Sequence, residues 1–334
     1  MTTATPESSR IRDWLRFVAA NWRSYGLPIA LLVIILIGTL TSRFFLVDTT
    51  EGGINIRWGN IVNILVQASV IGILAVGMTY VILTAGIDLS VGSVIALAGV
   101  AAATFGDFGA VVMVIVGVLT GLAVGVANGL LVTWGRVVPF IATLAMLTIA
   151  RGLALTITGA SPVRITDEAY IAIGAGQLFG VLPYVVIIFA AIVALGWFGL
   201  NRTVFGRQIY AVGGNRVAAR LSGIPVRRTE FAVYAISGLC AGIAAVLVSA
   251  RTATAQPSAG TGSELDAIAA VVVGGVSLFG GRGSLIGTLY GVLILTMITN
   301  IFVLQNISYD AQLIIKGAII LAAVMLQRRA DQEE

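Results

Sequence analysis

The sequence predicts an all-α, polytopic membrane protein of about ten transmembrane helices with both termini cytoplasmic, and three observations carry that prediction. Hydrophobic residues make up 58% of the 334 and charged residues only 10%, where a soluble domain carries about 25% charge. Mean hydropathy is +1.01, and apolar runs of roughly 20 residues, enough to cross a hydrocarbon layer of about 30 Å, recur along most of the chain. Basic residues alternate between connections: fourteen of the 20 Lys and Arg fall on the side of the amino terminus, while Arg43, Arg57, Arg164 and Arg251 fall on the other. An even number of spans with both ends inside then satisfies the positive-inside rule.

Residues 1–26 read as a polar cytoplasmic tail carrying Arg10, Arg12, Arg16 and Arg23. The apolar run from Leu27 ends in Thr41-Ser42-Arg43-Phe44-Phe45, without the small-residue cleavage site of a signal peptide, so it reads as a retained helix. The membrane domain covers 27–327, with spans expected at 27–46, 60–84, 89–105, 109–133, 137–159, 180–199, 230–250, 265–280, 284–304 and 310–327. Residues 328–334 form a second cytoplasmic tail. Forty glycines, in patterns such as Gly117-x-x-x-Gly121-x-x-x-Gly125, offer small faces for close helix packing.

The second and third spans join through Thr84-Ala85-Gly86-Ile87-Asp88-Leu89-Ser90-Val91-Gly92. A carboxylate at a helix centre in a bilayer costs about 3 kcal/mol on insertion scales, so something must compensate for Asp88. Gly86, Asp88, Ser90 and Gly92 are read together as a hinge or structural motif in which the backbone opens and a hydroxyl is at hand. Gly280-Gly281-Arg282-Gly283-Ser284-Leu285-Ile286-Gly287 echoes it, joining two spans through glycine, one charge and a serine.

The connection of about 201–229 carries six arginines and no acid. Its double glycine, Gly213-Gly214, predicts a turn; Asn215 is an N-cap for a short helix over Arg216 to Leu221, which Gly223 and Pro225 end. A short helix beneath a membrane bundle is a natural docking element. The opposite connection, Ala160 to Gln177, is the other long polar stretch.

Several chemistries are excluded. The chain has no histidine, one cysteine (Cys240) and no Gly-x-x-x-x-Gly-Lys-Ser/Thr loop, so His-based catalysis, a metal cluster and nucleotide binding by that route are absent. No basic stretch interleaved with aromatics points to nucleic acid. What remains is a path for a solute, with Asn63, Gln67, Tyr80, Asn128, Phe140, Thr143 and Asn300 as candidate lining residues, since hydroxyl-rich solutes want amide, hydroxyl and aromatic partners. Arg151 and Lys316 lie inside spans, where structural pairing is expected of them.

The segments Ala85 to Gly92, Pro139-Phe140-Ile141-Ala142-Thr143-Leu144 through Ala150-Arg151-Gly152, the arginine connection through Gly223-Ile224-Pro225, Gly274-Gly275 through Gly287, and Gln312-Leu313-Ile314-Ile315-Lys316-Gly317 together resemble the bacterial sugar ABC-importer permeases of the ribose, xylose, arabinose and galactose type. The resemblance covers Asn60 to Gln327 in order. It implies a ten-helix subunit in the inner membrane that pairs with a second permease copy, as a homodimer or alternatively a heterodimer. It also implies a cytoplasmic ATPase with tandem nucleotide-binding domains, which would hold ATP and magnesium, and an extracytoplasmic sugar-binding protein; the permease itself would carry no cofactor. Gly206, Arg207, Gly213, Gly214, Asn215, Arg220, Gly223 and Ile224 then map onto the ATPase-coupling element. The cargo implied is a monosaccharide, with ribose as the first guess. The competing expectation is an ion-coupled secondary transporter in which Asp88 carries a proton or sodium.

Overall fold

The computed structural model describes residues 26–48 and 55–332. The amino-terminal tail expected over 1–26 falls outside the described residues but for Gly26, as does the extreme end of the tail expected over 328–334. The described residues form thirteen α-helices: α1 (Gly26–Thr41), α2 (Trp58–Leu83), α3 (Val91–Thr104), α4 (Ala110–Thr133), α5 (Pro139–Thr158), α6 (Glu168–Ala175), α7 (Tyr184–Arg202), α8 (Val204–Gly214), α9 (Arg216–Leu221), α10 (Val226–Thr252), α11 (Ser263–Val273), α12 (Leu285–Leu304) and α13 (Tyr309–Gln332). Six of them, α2, α4, α5, α7, α10 and α12, are long and apolar enough to cross a membrane.

Helix α10 is the axis of the bundle, packed by α4, α2, α3 and α6. Its contact with α4 is a backbone-to-backbone crossing of two glycine stripes, Gly117, Gly121 and Gly125 against Gly238 and Gly242. A Cβ placed on Gly121 would lie 2.5 Å from Gly242 Cα, so the two axes can approach this closely only without side chains between them.

Of the helices at expected spans, α3 and α11 are the shortest. Helix α3, with 14 residues, is about 21 Å long and α11, with 11 residues, about 16 Å. The span expected at 265–280 is therefore half a span: α11 stops at Val273, and the chain continues through Gly275, Gly280, Gly281 and Gly283, all with positive φ. Apolar residues run on through Val276 and Leu278, which is why hydropathy extends the helix, but left-handed glycines cannot propagate it.

The ends of the bundle differ. At one end α8 and α9 lie beneath the joint between α2 and α3. At the other, α6 is capped by Asp167, which accepts from Tyr170 N (2.8 Å), and docks through Tyr170 Oη to Ser249 Oγ at 2.8 Å. There Val163–Arg164 pairs antiparallel with Thr254–Ala255. Arg151 Nη1 donates to the carbonyls of Pro257 (2.7 Å) and Ala259 (2.8 Å), tying the α10–α11 connection to α5. Lys316 Nζ pairs with Asp266 at 3.0 Å, tying α13 to α11. Both cations expected inside spans thus find protein partners.

The glycine crossing yields a stability prediction. Gly121→Val should lower the thermal unfolding midpoint of the detergent-solubilised chain, by the equivalent of about 1–3 kcal/mol for an overpacked contact. Gly59→Ala, which meets nothing within 4 Å, should leave it unchanged in the same fluorescence-monitored melt.

Candidate functional site: the α2–α3 break and the element beneath it

Helix α2 ends because Thr84 Oγ1 turns back onto the Val81 carbonyl (2.8 Å), Ala85 takes a left-handed conformation (φ 60°) and Gly86 N bonds to the Val81 carbonyl at 3.1 Å. The left-handed residue is Ala85, with the flanking glycines serving close approach instead. A Cβ on Gly86 would stand 2.5 Å from Tyr234 Oη, and one on Gly92 would collide with the Gly260 carbonyl and the Glu264 carboxylate.

The chain then places Asp88, 1% exposed, at the amino end of α3. Its Oδ1 accepts from Ser90 N (3.0 Å), Ser90 Oγ (2.7 Å) and Asn128 Nδ2 (3.4 Å), and its Oδ2 accepts from Ser237 Oγ (2.8 Å). Asn128 Nδ2 also donates to Ser90 Oγ at 2.8 Å, and Thr143 Oγ1 to the Ile87 carbonyl at 3.2 Å. The break is thereby gripped by α4, α5 and α10 at once. Among the described residues Asp88 has no ion-pair partner. Hydrogen bonds and the positive end of the α3 dipole stand in for a counter-ion.

The candidate path residues go to different places. Asn128 and Thr143 belong to the Asp88 cluster. Tyr80 Oη donates to the Gly196 carbonyl (2.6 Å) and its ring stacks on Phe205, joining α2 to α7 and α8. Asn300 and Asn60 exchange amide hydrogen bonds at 2.9 Å in both directions, joining α12 to α2. Asn63 and Phe140 are exposed and Gln67 is half-buried on surfaces that the chain does not itself cover.

Beneath the break, Thr203 caps α8 by accepting from Gly206 N (3.2 Å), and Asn215 caps α9 by accepting from Val217 N (3.0 Å) and Ala218 N (2.9 Å). The short helix has the bounds expected for it and ends at Gly223 (φ 80°), with Ile224 N on the Ala219 carbonyl. Gly213 packs directly on the Leu83 carbonyl, the atom to which Gly281 N also bonds at 2.9 Å, and Tyr210 Oη donates to the Gly283 carbonyl at 3.0 Å. The two echoing glycine segments therefore meet, with α8 wedged under both. Gly213 and the backbone of Gly214 form this packed base, while Gly206 packs on the Leu200 carbonyl at the end of α7. Arg207 and Arg220 are exposed, and Val217 and Leu221 are 69% and 84% exposed on the underside of α9.

Sequence reading missed three residues of α10: Glu230, Tyr234 and Ser237. They recur at i, i+4 and i+7, so one face of the helix is polar from its second turn to Asp88. That periodicity was the available signal.

Residues 60–324 match the family described as branched-chain amino acid transport system / permease component. The ribose import permease protein RbsC of Escherichia coli (strain K12) is 46% identical over 308 residues, covering 90% of this chain and 92% of that protein. The D-allose transport system permease protein AlsC of the same organism is 40% identical over 93% of each chain. The L-arabinose ABC transporter permease protein AraH of Azospirillum brasilense is 39% identical over 82% of this chain and 81% of its own. No solved structure gives a significant match.

The Asp88 geometry makes a prediction. Asp88→Ala leaves the Ser90, Ser237 and Asn128 donors buried without their acceptor and should cost about 1–3 kcal/mol for each donor left unsatisfied. Asp88→Asn keeps one carbonyl oxygen for Ser90 and should cost distinctly less; equal losses in thermal or SDS unfolding would show that these bonds do not hold the break.

Proposed function

The chain belongs to this permease-component family, and from that membership we propose that it is the membrane-spanning subunit of an ATP-driven sugar importer, passing a monosaccharide from an extracytoplasmic binding protein to the cytoplasm by alternating access. The family description names an amino-acid system, whereas the relatives aligned along nearly the whole chain are named for ribose, allose and arabinose. Their coverage makes them the better guide to cargo, and ribose is the first candidate.

The observation that carries the reading is α9. A six-residue helix that exposes Val217 and Leu221 at i and i+4, with Arg220 beside them, has no reason to do so in water unless a partner covers it. It follows directly on α8, whose Gly213 packs on the backbone at the α2–α3 joint. An ATPase seated on this helix would push on the break, and that ATPase would hold the ATP and magnesium for which this chain has no phosphate loop. With α9 inside, the arginine-rich face is cytoplasmic, as the charge asymmetry requires.

The pathway follows from the uncovered faces. Only Ala142, Thr143, Ala150 and Ala154 of α5 are buried, leaving Phe140, Thr148 and Thr156 on its open side. A second permease copy, identical in the simplest case, would close the pathway along that side. Affinity would reside in the binding protein, so weakly polar walls suffice.

Asp88 is a structural hinge in this scheme. A neutral sugar needs no counter-charge, and the carboxylate is already saturated by donors. The ion-coupled alternative draws no support from the relatives.

Two outcomes are expected. Val217→Glu with Leu221→Glu, or Arg220→Glu alone, should reduce co-purification of the cognate ATPase by about tenfold or more, as when an interface loses anchoring contacts, with unchanged insertion of the permease. Proteoliposomes holding permease, ATPase and binding protein should accumulate ribose only with internal-facing ATP; accumulation by the permease alone under a proton or sodium gradient would overturn the assignment.

A further inference from the structure

Helix α9 is held to the bundle lightly. Ala219 is its one buried side chain, packed in a small apolar cluster with Val212 and Val226. Among the described residues its only side-chain polar bond to the bundle is the ion pair from Arg216 Nη2 to Glu230 Oε2, at 2.6 Å, in which Arg216 is 54% exposed and Glu230 7%. Arg216 is the first residue of α9, and Glu230 sits in the second turn of α10.

Glu230 shares its helix face with Tyr234, whose hydroxyl stands against Gly86, and with Ser237, which donates to Asp88. The ion pair and the α2–α3 break therefore hang on one rigid face, two turns apart. Between them lies a cavity of about 260 Å³, bordered by Thr84, Gly86, Asn215, Arg216, Glu230 and Tyr234. Close-packed interiors transmit displacement but resist rearrangement. Here the cavity leaves room for the arginine and the joint to move against each other, while the ion pair keeps α9 attached to α10.

We propose that Arg216 and Glu230 are positioning residues for transport: their ion pair is the link through which ATP-driven movement of α9 reaches the helix break at Asp88. This rests on the reading of α9 as the ATPase-docking helix. A tether that only holds the loop in place would share the geometry but would not make the break respond to nucleotide.

The test uses the assembled permease–ATPase complex and needs no knowledge of the cargo. Thr84→Cys places a reporter on the cavity wall, and its rate of modification by a methanethiosulfonate reagent is measured with and without a non-hydrolysable ATP analogue, subtracting the chain that retains Thr84. The rate should change at least about fivefold with nucleotide, the scale of a coupled charged pair. Arg216→Glu and Glu230→Arg should each abolish that change while the ATPase still co-purifies, and the double exchange should restore it. Glu230→Gln, which keeps the shape of a buried side chain, should behave as Glu230→Arg does and covers the case in which the reversal prevents insertion. The proposal is overturned if the reporter ignores nucleotide in the unaltered pair, if the single variants respond normally, if they lose the ATPase instead, or if the double exchange fails to rescue. Failure of the unaltered permease to bind any ATPase would instead sink the functional reading beneath it.

Discussion

A carboxyl group buried in a helical bundle with no ion-pair partner among the described residues is the constraint on which the rest of this structure depends. Asp88 can keep its place only if several donors converge on it, and helical backbone supplies none, because its N–H groups are already paired. The chain meets this by ending α2 and starting α3 afresh, which exposes the amino end of a helix and the N–H of Ser90 to the carboxylate. The break is what lets Asp88 be buried, and Asp88 is what holds the break to α4 and α10.

That exchange sets the remaining geometry. Once α3 begins inside the bundle it is too short to fill its layer, and the connection from α10 to α11 folds inward until Gly260 meets Gly92. Arg151 then holds that connection by its carbonyls, and α11 in turn is only half a span. Glycine is required where backbones touch, at the α4–α10 crossing, at Gly92 and at Gly213, since a methyl group at any of these would occupy a neighbouring backbone. Two polar residues near the break, Asn128 and Thr143, hydrogen-bond to the joint.

What could be read from the sequence follows the range of the interaction concerned. Local signals carried through: Asn215 caps α9 and Gly223 ends it, and hydropathy located the long helices to within a few residues. The Asp88 motif was visible as a break because the charge and the glycines are adjacent in sequence. Its partners were not, since Ser237 lies 149 residues away and only the polar stripe on α10 could have suggested it. Hydropathy also failed at α11, where apolar residues continue past a glycine pair that ends the helix. Residue type made Asn300 a candidate, but its Asn60 partner, 240 positions distant, was not legible.

The proposed transport cycle asks for one part that moves and one that does not, and the packing divides the chain along that line. The glycine crossing of α4 and α10 is backbone against backbone and has no slack. The region beneath the break is the reverse, with a cavity, a helix held by one small apolar cluster and an ion pair open to solvent on the arginine side. Hydrogen bonds to Asp88 lie at the boundary, strong enough to define the joint and directional enough to be lost together if α3 tilts. A joint whose buried carboxyl group is already hydrogen-bonded by Ser90, Asn128 and Ser237 would need no ion to operate it, which suits a permease whose energy would come from a partner chain and whose cargo would be neutral.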